Sequence, residues 1–424
     1  MNLPQWLEYL ERLHPSTIEL GLERINKVAS KLPIDFSGIQ VITVGGTNGK
    51  GTTVTMLSAI LEAAGMRTAC YTSPHILRYN ERVRLGDRYA TDAELCESFA
   101  KVEAERGDIR LTYFEFGTLA ALQLFSDYAP DVAILEVGLG GRLDAVNILD
   151  PDIAIVTNVD LDHMDWLGDT REAIGFEKAG IYRAGKPALY GEKDMPASVL
   201  ERVNEIGATL YARGRQYEAA ENGDGTWQWQ GQGEDSAGNA VTYPALPLND
   251  YPLDNCAVAV QAITLLAPQV TPAQIAHGLT HAVLPGRFQV FDRGYPLILD
   301  VGHNPHAARR VAQQVSERFP GRQVVLVTAM LADKDYRAVM SLYRALHPLW
   351  YVAGIQEERG LQGKMLYNCL SESGETGVHC NTTVAEAFEA AEKACRALAV
   401  DEDNAPVLLV TGSFFTVAAV MELL

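Results

Sequence analysis

Gly45-Gly46-Thr47-Asn48-Gly49-Lys50-Gly51-Thr52-Thr53 follows the β-branched run Val41-Ile42-Thr43-Val44 and precedes Val54 to Ala64, whose apolar spacing is helical. Strand, glycine loop and helix in that order suit a phosphate-binding turn. Glycines let backbone N–H groups face phosphate oxygens at a helix N-terminus, a lysine neutralises β- and γ-phosphates, and a threonine hydroxyl reaches Mg²⁺. Thr47, Asn48, Gly49, Lys50, Gly51 and Thr52 are therefore candidates for binding ATP. Lys50 is the charge that would act in phosphoryl transfer, and Thr52 or Thr53 would face the metal. The strict pattern G-x-x-x-x-G-K-[ST] is not met, because Val44 holds its first position and Gly51 separates Lys50 from Thr52. A plain glycine turn is the alternative.

Ser73, Glu136 and His163 each stand at or just past the end of an expected parallel strand, where ligands collect in open α/β sheets. Glu136 closes the apolar run Val132 to Leu135. A carboxylate buried there is costly unless it is paired or holds a cation, so the choice lies between a salt bridge and a metal site. His163 lies beside Asp160 and Asp162, which could simply cap a helix. Lys178 reads as an ordinary helix lysine, Asn255 as a cap and Arg287 as a surface arginine. Thr112-Tyr113-Phe114-Glu115-Phe116-Gly117 reads as plain helix core, and His277 with His281 lacks a third ligand for a metal.

These residues need strands and helices to position them. Short β-branched runs at Val41 to Val44, Thr68 to Tyr71, Val132 to Val137 and Ile153 to Thr157 alternate with turns and helical stretches. A second series runs Leu297 to Val301, Gln323 to Val327, Trp350 to Ala353 and Val407 to Thr411. Such alternation is the form of a parallel, doubly wound sheet. Between the series, Glu218 to Leu248 carries Gly223-Asp224-Gly225, Trp227-Gln228-Trp229 and Ser236-Ala237-Gly238-Asn239, signals of hairpins. Helices are expected at Asn255 to Leu266 and Pro272 to His281, and Leu284-Pro285-Gly286-Arg287 is the expected hinge. The fold class is α/β with two tandem domains, 1–284 and 288–424.

Composition bounds the partners. The 424 residues and 47% hydrophobic content can fill more than one core. A net charge of −19 without a basic block argues against nucleic acid. Six cysteines without a C-x-x-C pair read as reduced thiols. The N-terminus has no leader pattern and no segment reads as a membrane span, so the expectation is a cytoplasmic monomer without membrane partners.

At Gly46 to Thr52 the chain resembles the folylpolyglutamate synthases, relatives of the Mur ligases, whose nucleotide loop carries the same inserted glycine. The resemblance continues in order through Tyr71-Thr72-Ser73-Pro74-His75, Leu135 to Asp144, Leu161-Asp162-His163, Glu177-Lys178-Ala179-Gly180, Leu284 to Phe288 and Asp300 to Pro305. It implies an N-terminal P-loop ATPase domain with a mostly parallel sheet and a smaller Rossmann-like C-terminal glutamate-ligase domain. It implies that Ser73, Glu136 and His163 bind Mg²⁺ with a carbamylated Lys178, and that Asn255, Arg287 and Asp300 complete the ATP site. His303 is implied as a catalytic residue and Ser413 as a substrate residue on the glutamate side. Thr17, Ile18, Glu19, Leu20 and Gly21, Thr112, Tyr113, Phe114 and Glu115, and Leu143, Asp144 and Ala145 are implied to hold dihydropteroate.

The activity implied is ATP-dependent addition of L-glutamate to dihydropteroate and to reduced folates through an acyl phosphate. A UDP-sugar peptide ligase of Mur type is the competing reading; only about 40 residues precede the loop, too few for the extra domain such enzymes carry. A nucleotide switch lacks its Asn-Lys-x-Asp motif, and an inactive folate binder would not need both Lys50 and Glu136.

Overall fold

The computed structural model describes residues 1–14, 19–233, 240–399 and 404–424. The chain divides into two compact units, Met1–Val283 and Leu284–Leu424.

In the first unit, β1 (Gln40–Gly45), β2 (Thr68–Tyr71), β3 (Val83–Leu85), β4 (Arg88–Tyr89), β5 (Val132–Glu136), β6 (Ile153–Val156), β7 (Pro187–Tyr190) and β8 (Thr209–Ala212) share one sheet. Its order is β4-β3-β2-β5-β1-β6-β7-β8. Pairing is parallel except at the β2-β3-β4 edge. Strand β1 is buried from Val41 onward, as expected of a central strand covered on both faces. Val44 pairs with Glu136 on one side, and Gly45 pairs with Val156 on the other. The glycine loop after β1 thus emerges between the ends of β5 and β6.

The small β segment is a three-stranded antiparallel sheet of β9 (Tyr217–Glu221), β10 (Thr226–Gln232) and β11 (Ala240–Pro247). The turn expected at Ser236 to Asn239 lies outside the described residues. Trp227 and Trp229, two apart on β10, point to one face and are fully buried. Trp229 Nε1 donates to the Ala257 carbonyl at 3.2 Å. This sheet therefore buttresses the helix Leu253–Leu266, which shares a core with the helix Lys50–Ala63.

The second unit has the order β12-β13-β17-β14-β15-β16, with β12 (Gln289–Asp292), β13 (Pro296–Asp300), β14 (Val324–Thr328), β15 (Leu349–Ala353), β16 (Val378–Asn381) and β17 (Val407–Thr411). All pairs are parallel except β12 with β13. Every residue of β14 and β17 is buried.

The architecture is α/β with a mostly parallel sheet in the first unit and a separate sheet in the second. The expected strands are present within a residue or so of their ends. The short strands β3, β4, β12 and β16, and the β7 and β8 pair, carry too few apolar residues in a row to stand out. Asn255 is not a cap: the helix begins at Leu253 behind Pro252, and Asn255 lies buried in its first turn.

Candidate active site

The glycine loop is held from below by the end of β6. Asn158 Oδ1 accepts from the backbone N–H groups of Thr47 (3.1 Å) and Asn48 (2.9 Å), and Thr157 Oγ1 donates to the Asn48 carbonyl at 2.6 Å. The N–H groups of Thr47 and Asn48 are thus engaged within the loop. The first N–H groups of the helix Lys50–Ala63 lack intrahelical acceptors, an arrangement suited to an anion. Gly49 caps that helix in the left-handed region, at φ 80°. A Cβ there would also fall 2.6 Å from Oδ1 of Asn255, so the position requires glycine. The Asn255 Nδ2 is buried without a hydrogen-bond partner among the described residues, an orphan donor beside the nucleotide loop. Of the two threonines, Thr53 Oγ1 is spent on the Gly49 carbonyl at 2.9 Å, which leaves Thr52.

Two ammonium groups converge on one carbonyl oxygen. Lys50 Nζ donates to Gly46 O at 3.1 Å and Lys178 Nζ to the same atom at 3.0 Å. Lys178 comes from the helix Arg171–Ala179 and is 4% exposed, so it is no ordinary surface lysine. Burial, reinforced by the Lys50 charge, pulls its pKa down to about 7. Near neutral pH a large share of this amine is therefore uncharged, where a free lysine would be almost wholly protonated.

Glu136 is 5% exposed, and its Oε2 accepts from the Ser73 backbone N–H at 3.0 Å. His163 sits at φ 52° just before the short helix Met164–Leu167, with an exposed side chain. Ser73 and His163 line one cavity of about 280 Å³ together with Glu19, Leu20, Gly21, Thr112, Tyr113, Phe114, Glu115, Leu143, Asp144 and Ala145. Thr17 and Ile18 lie outside the described residues. Hydroxyl, carboxylate and imidazole donors are compatible with a hard cation that also takes water and phosphate oxygens, and the buried carboxylate of Glu136 suits one.

The cavity wall is built by capping and close packing. Thr112 and Glu115 cap the helix Tyr113–Tyr128 reciprocally, which fixes Tyr113 and Phe114 at its mouth. The Phe114 ring lies where a Cβ on Gly138 would be, 2.6 Å away, and tilts against Tyr71 with centroids 5.8 Å apart. Asp144 accepts from the N–H groups of Leu139 (2.8 Å) and Val146 (3.1 Å). Burial pushes its carboxyl up to about 6, against the pull of those N–H groups and of Lys50.

In the second unit, Asp300 ends β13 and accepts from the N–H groups of Phe288 (2.9 Å) and Gly302 (2.7 Å). Burial raises its pKa, offset in part by the Arg287 charge. The Arg287 guanidinium lies 5.4 Å from the centre of the Phe414 ring, and His303 tilts toward the same ring. Ser413 is buried and caps the helix Phe414–Met421 through Thr416 N at 3.0 Å. Arg287, His303 and Ser413 thus gather around Phe414 at the ends of β13 and β17. His277 and His281 stack at 4.0 Å on the exposed face of their helix, and among the described residues no three or more His, Cys, Asp or Glu side chains come together as a metal cluster.

Thr157, Asn158, Arg24 and Arg82 have positions in the site that the sequence reading missed. Thr157 ends a predicted strand and Asn158 directly follows it, so the rule that singled out Ser73 and Glu136 could have found them. No comparable signal marks Arg82, which lines the cavity through tertiary packing, or Arg24, which pairs with its lining residues Glu19 and Glu115.

Residues 44–230 match the Mur ligase middle domain, and residues 286–414 match the Mur ligase glutamate ligase domain. The dihydrofolate synthase/folylpolyglutamate synthase of Escherichia coli (strain K12) is 42% identical over 422 residues, spanning 100% of this chain and 95% of that protein. Its namesake in Haemophilus influenzae is 39% identical over 436 residues, spanning 98% and 96%. Among solved structures, Escherichia coli FolC in complex with DHPP and ADP superposes with a TM-score of 0.92 at 42% identity, covering 100% of this chain and 97% of that one. The bifunctional folylpolyglutamate synthase/dihydrofolate synthase of Yersinia pestis, complexed with AMPPNP and Mn ion, gives 0.90 at 44% identity, covering 100% and 98%. With this identity sustained along the whole chain and both ligase domains present, the protein belongs to the dihydrofolate synthase/folylpolyglutamate synthase family of Mur-type ligases.

Proposed function

We propose that the protein is an ATP-dependent ligase that joins L-glutamate to dihydropteroate, giving dihydrofolate, and to reduced folates, giving folylpolyglutamates. The observation that carries this reading is a cavity that unites Ser73 and His163 with the aromatic wall of Tyr113 and Phe114, while Asp144, buried in its wall, feels the Lys50 charge of the glycine loop. A flat aromatic acceptor fits such walls, and its carboxylate would lie toward the nucleotide.

In the reaction, a carboxylate oxygen of the acceptor attacks the γ-phosphorus of ATP as the bond to the bridging oxygen breaks, giving an acyl phosphate and ADP. The glutamate amine then attacks the acyl carbon; the C–O bond to phosphate breaks, phosphate leaves, and the amide forms with loss of a proton. No protein nucleophile is required. Lys50 and the first N–H groups of its helix neutralise charge on the transferring group, and the loop aligns it. Asn255 offers its orphan Nδ2 beside the loop. Ser73, Glu136 and His163 would hold a Mg²⁺ ion, whose charge adds to that neutralisation when bound. Lys178 is proposed to carry a carbamate on Nζ as a further oxygen donor: the neutral amine that its burial favours attacks CO₂, a C–N bond forms as one C=O π bond opens, and the nitrogen gives up a proton to solvent. Arg287 and Asp300 are proposed for the nucleotide, and His303 and Ser413 for the glutamate.

Among the described residues no helix is long and apolar enough to cross a membrane, and the cytoplasm and a monomeric state are proposed as the setting. A coupled ADP-release assay tests the function with three acceptors: dihydropteroate, a reduced folate and a UDP-sugar peptide, each with its amino acid. Turnover is expected with the first two plus glutamate. Turnover with the UDP-sugar peptide alone would overturn the folate reading in favour of a peptide ligase.

A further inference from the structure

The charges that line the cavity do not balance, and the imbalance singles out one residue. Glu19, Glu115 and Asp144 are its carboxylates. Glu19 and Glu115 both pair with Arg24, the latter at 3.1 Å, and Asp144 is spent on backbone N–H groups. Arg82 is the one lysine or arginine among the described lining residues, and it makes no ion pair with a carboxylate among the described residues. Its Nε donates to His75 Nδ1 at 2.8 Å, and its guanidinium lies over the rings of Tyr79 (5.4 Å) and Tyr113 (5.6 Å). The arginine is therefore held in place by one imidazole, two aromatic faces and a hydrogen bond to the Tyr71 hydroxyl, and no carboxylate neutralises its charge. A fixed, unpaired guanidinium fork in a cavity is suited to a carboxylate that arrives with the ligand.

The two acceptors of the proposed reaction differ in this respect. Dihydropteroate has one carboxylate, and that group must go to the phosphoryl donor. A folate that already ends in glutamate has two; one reacts, and the other must enter a cavity that carries three carboxylates of its own. Burying it without a cation would be costly. We infer that Arg82 binds the unreactive carboxylate of a glutamate-terminated folate, so that it determines tail extension and is dispensable for the first glutamate addition. The inference rests on the folate reading above. His75 is then a positioning residue that acts through Arg82.

The test uses the full chain, ATP and glutamate with dihydropteroate and with tetrahydropteroyl monoglutamate. In Arg82→Gln, KM for the monoglutamate should rise roughly ten- to hundredfold, the worth of a lost charge-assisted hydrogen bond, while KM for dihydropteroate stays within about twofold. Arg82→Lys, which keeps the charge, should recover part of the loss. Equal changes for both acceptors would show a structural role and overturn the assignment. A second measurement needs no variant. Of the two monoamides of the monoglutamate acceptor, the one still extended carries its amide at the unreactive position, and the unmodified protein should use it with a KM raised by a similar factor. An unchanged KM there would also overturn the assignment. If the unmodified protein ligates neither dihydropteroate nor the monoglutamate, the folate reading itself has failed; if it ligates both and ignores the amide, only the role of Arg82 has failed.

Discussion

Lys50 and Lys178 share the Gly46 carbonyl, yet they differ in what their removal should do. Lys50 is proposed as the charge that neutralises the transferring phosphoryl group, so Lys50→Ala should abolish ADP release with either acceptor, a loss of about a thousandfold or more, with the thermal transition retained. Near-normal turnover in a folded variant would remove this loop from the site. Before any carbamate forms on it, Lys178 is a buried amine whose charged form the fold holds at a cost. Its pKa is about 7 in the folded protein against an ordinary 10.5. Below about 7 it is charged in both folded and unfolded states, and the burial penalty weighs fully on the fold. Between the two values the folded protein releases the proton first, so stability recovers as pH rises, and above 10.5 the penalty is gone. Lys178→Met keeps the volume, and Gly46 O keeps its bond to Lys50. That variant should lose ligation while its Tm rises by at least about 2 °C at pH 6 and by less at pH 9, measured without ATP. A lower Tm at pH 6 would mean that the lysine is there to hold the fold.

Elements matter here through what their ends present. The end of β6 supplies Thr157 and Asn158, which clamp the phosphate loop, and the tryptophan face of β10 sets the helix that brings Asn255 onto Gly49. Asn158→Ala removes the acceptor of two loop N–H groups. Because the loop is then free to depart from the shape that receives phosphate, KM for ATP should rise about tenfold, the scale of one or two neutral hydrogen bonds. KM for the folate acceptor should stay unchanged, since the cavity wall is built by the Tyr113–Tyr128 helix and the Leu143 to Ala145 turn. A steady-state comparison of the two KM values decides between this clamp and a general loosening of the unit, which would raise both.

At the scale of the whole molecule there is one glycine loop of this kind and one Ser73, Glu136, His163 and Lys178 set among the described residues, so both glutamate additions are expected to use one centre. Lys50→Ala should remove both activities together. Dihydropteroate is the shorter acceptor and must bring its ring closer to the phosphates, near Phe114 and Ala145. Ala145→Arg or Phe114→Arg should then depress dihydrofolate synthesis several-fold more than tail extension, read as the ratio of kcat/KM for the two acceptors. Equal loss would mean that both acceptors lay their rings in the same place. Much of this was already written in local sequence. A central strand, a glycine turn and a helix are short-range events set by periodicity and by which residues tolerate φ > 0, so the loop and its Lys50 could be read directly. Strand-end residues such as Glu136 and Ser73 follow from the same periodicity. Burial and charge balance are sums over residues distant in the chain, and only tertiary structure decided them. Lys178 looks like any helix lysine until the loop closes over it, Asn255 looks like a cap until its helix packs on Gly49, and only the fold shows that Arg24 pairs with Glu19 and Glu115 while Arg82, lining the same cavity, pairs with no carboxylate among the described residues.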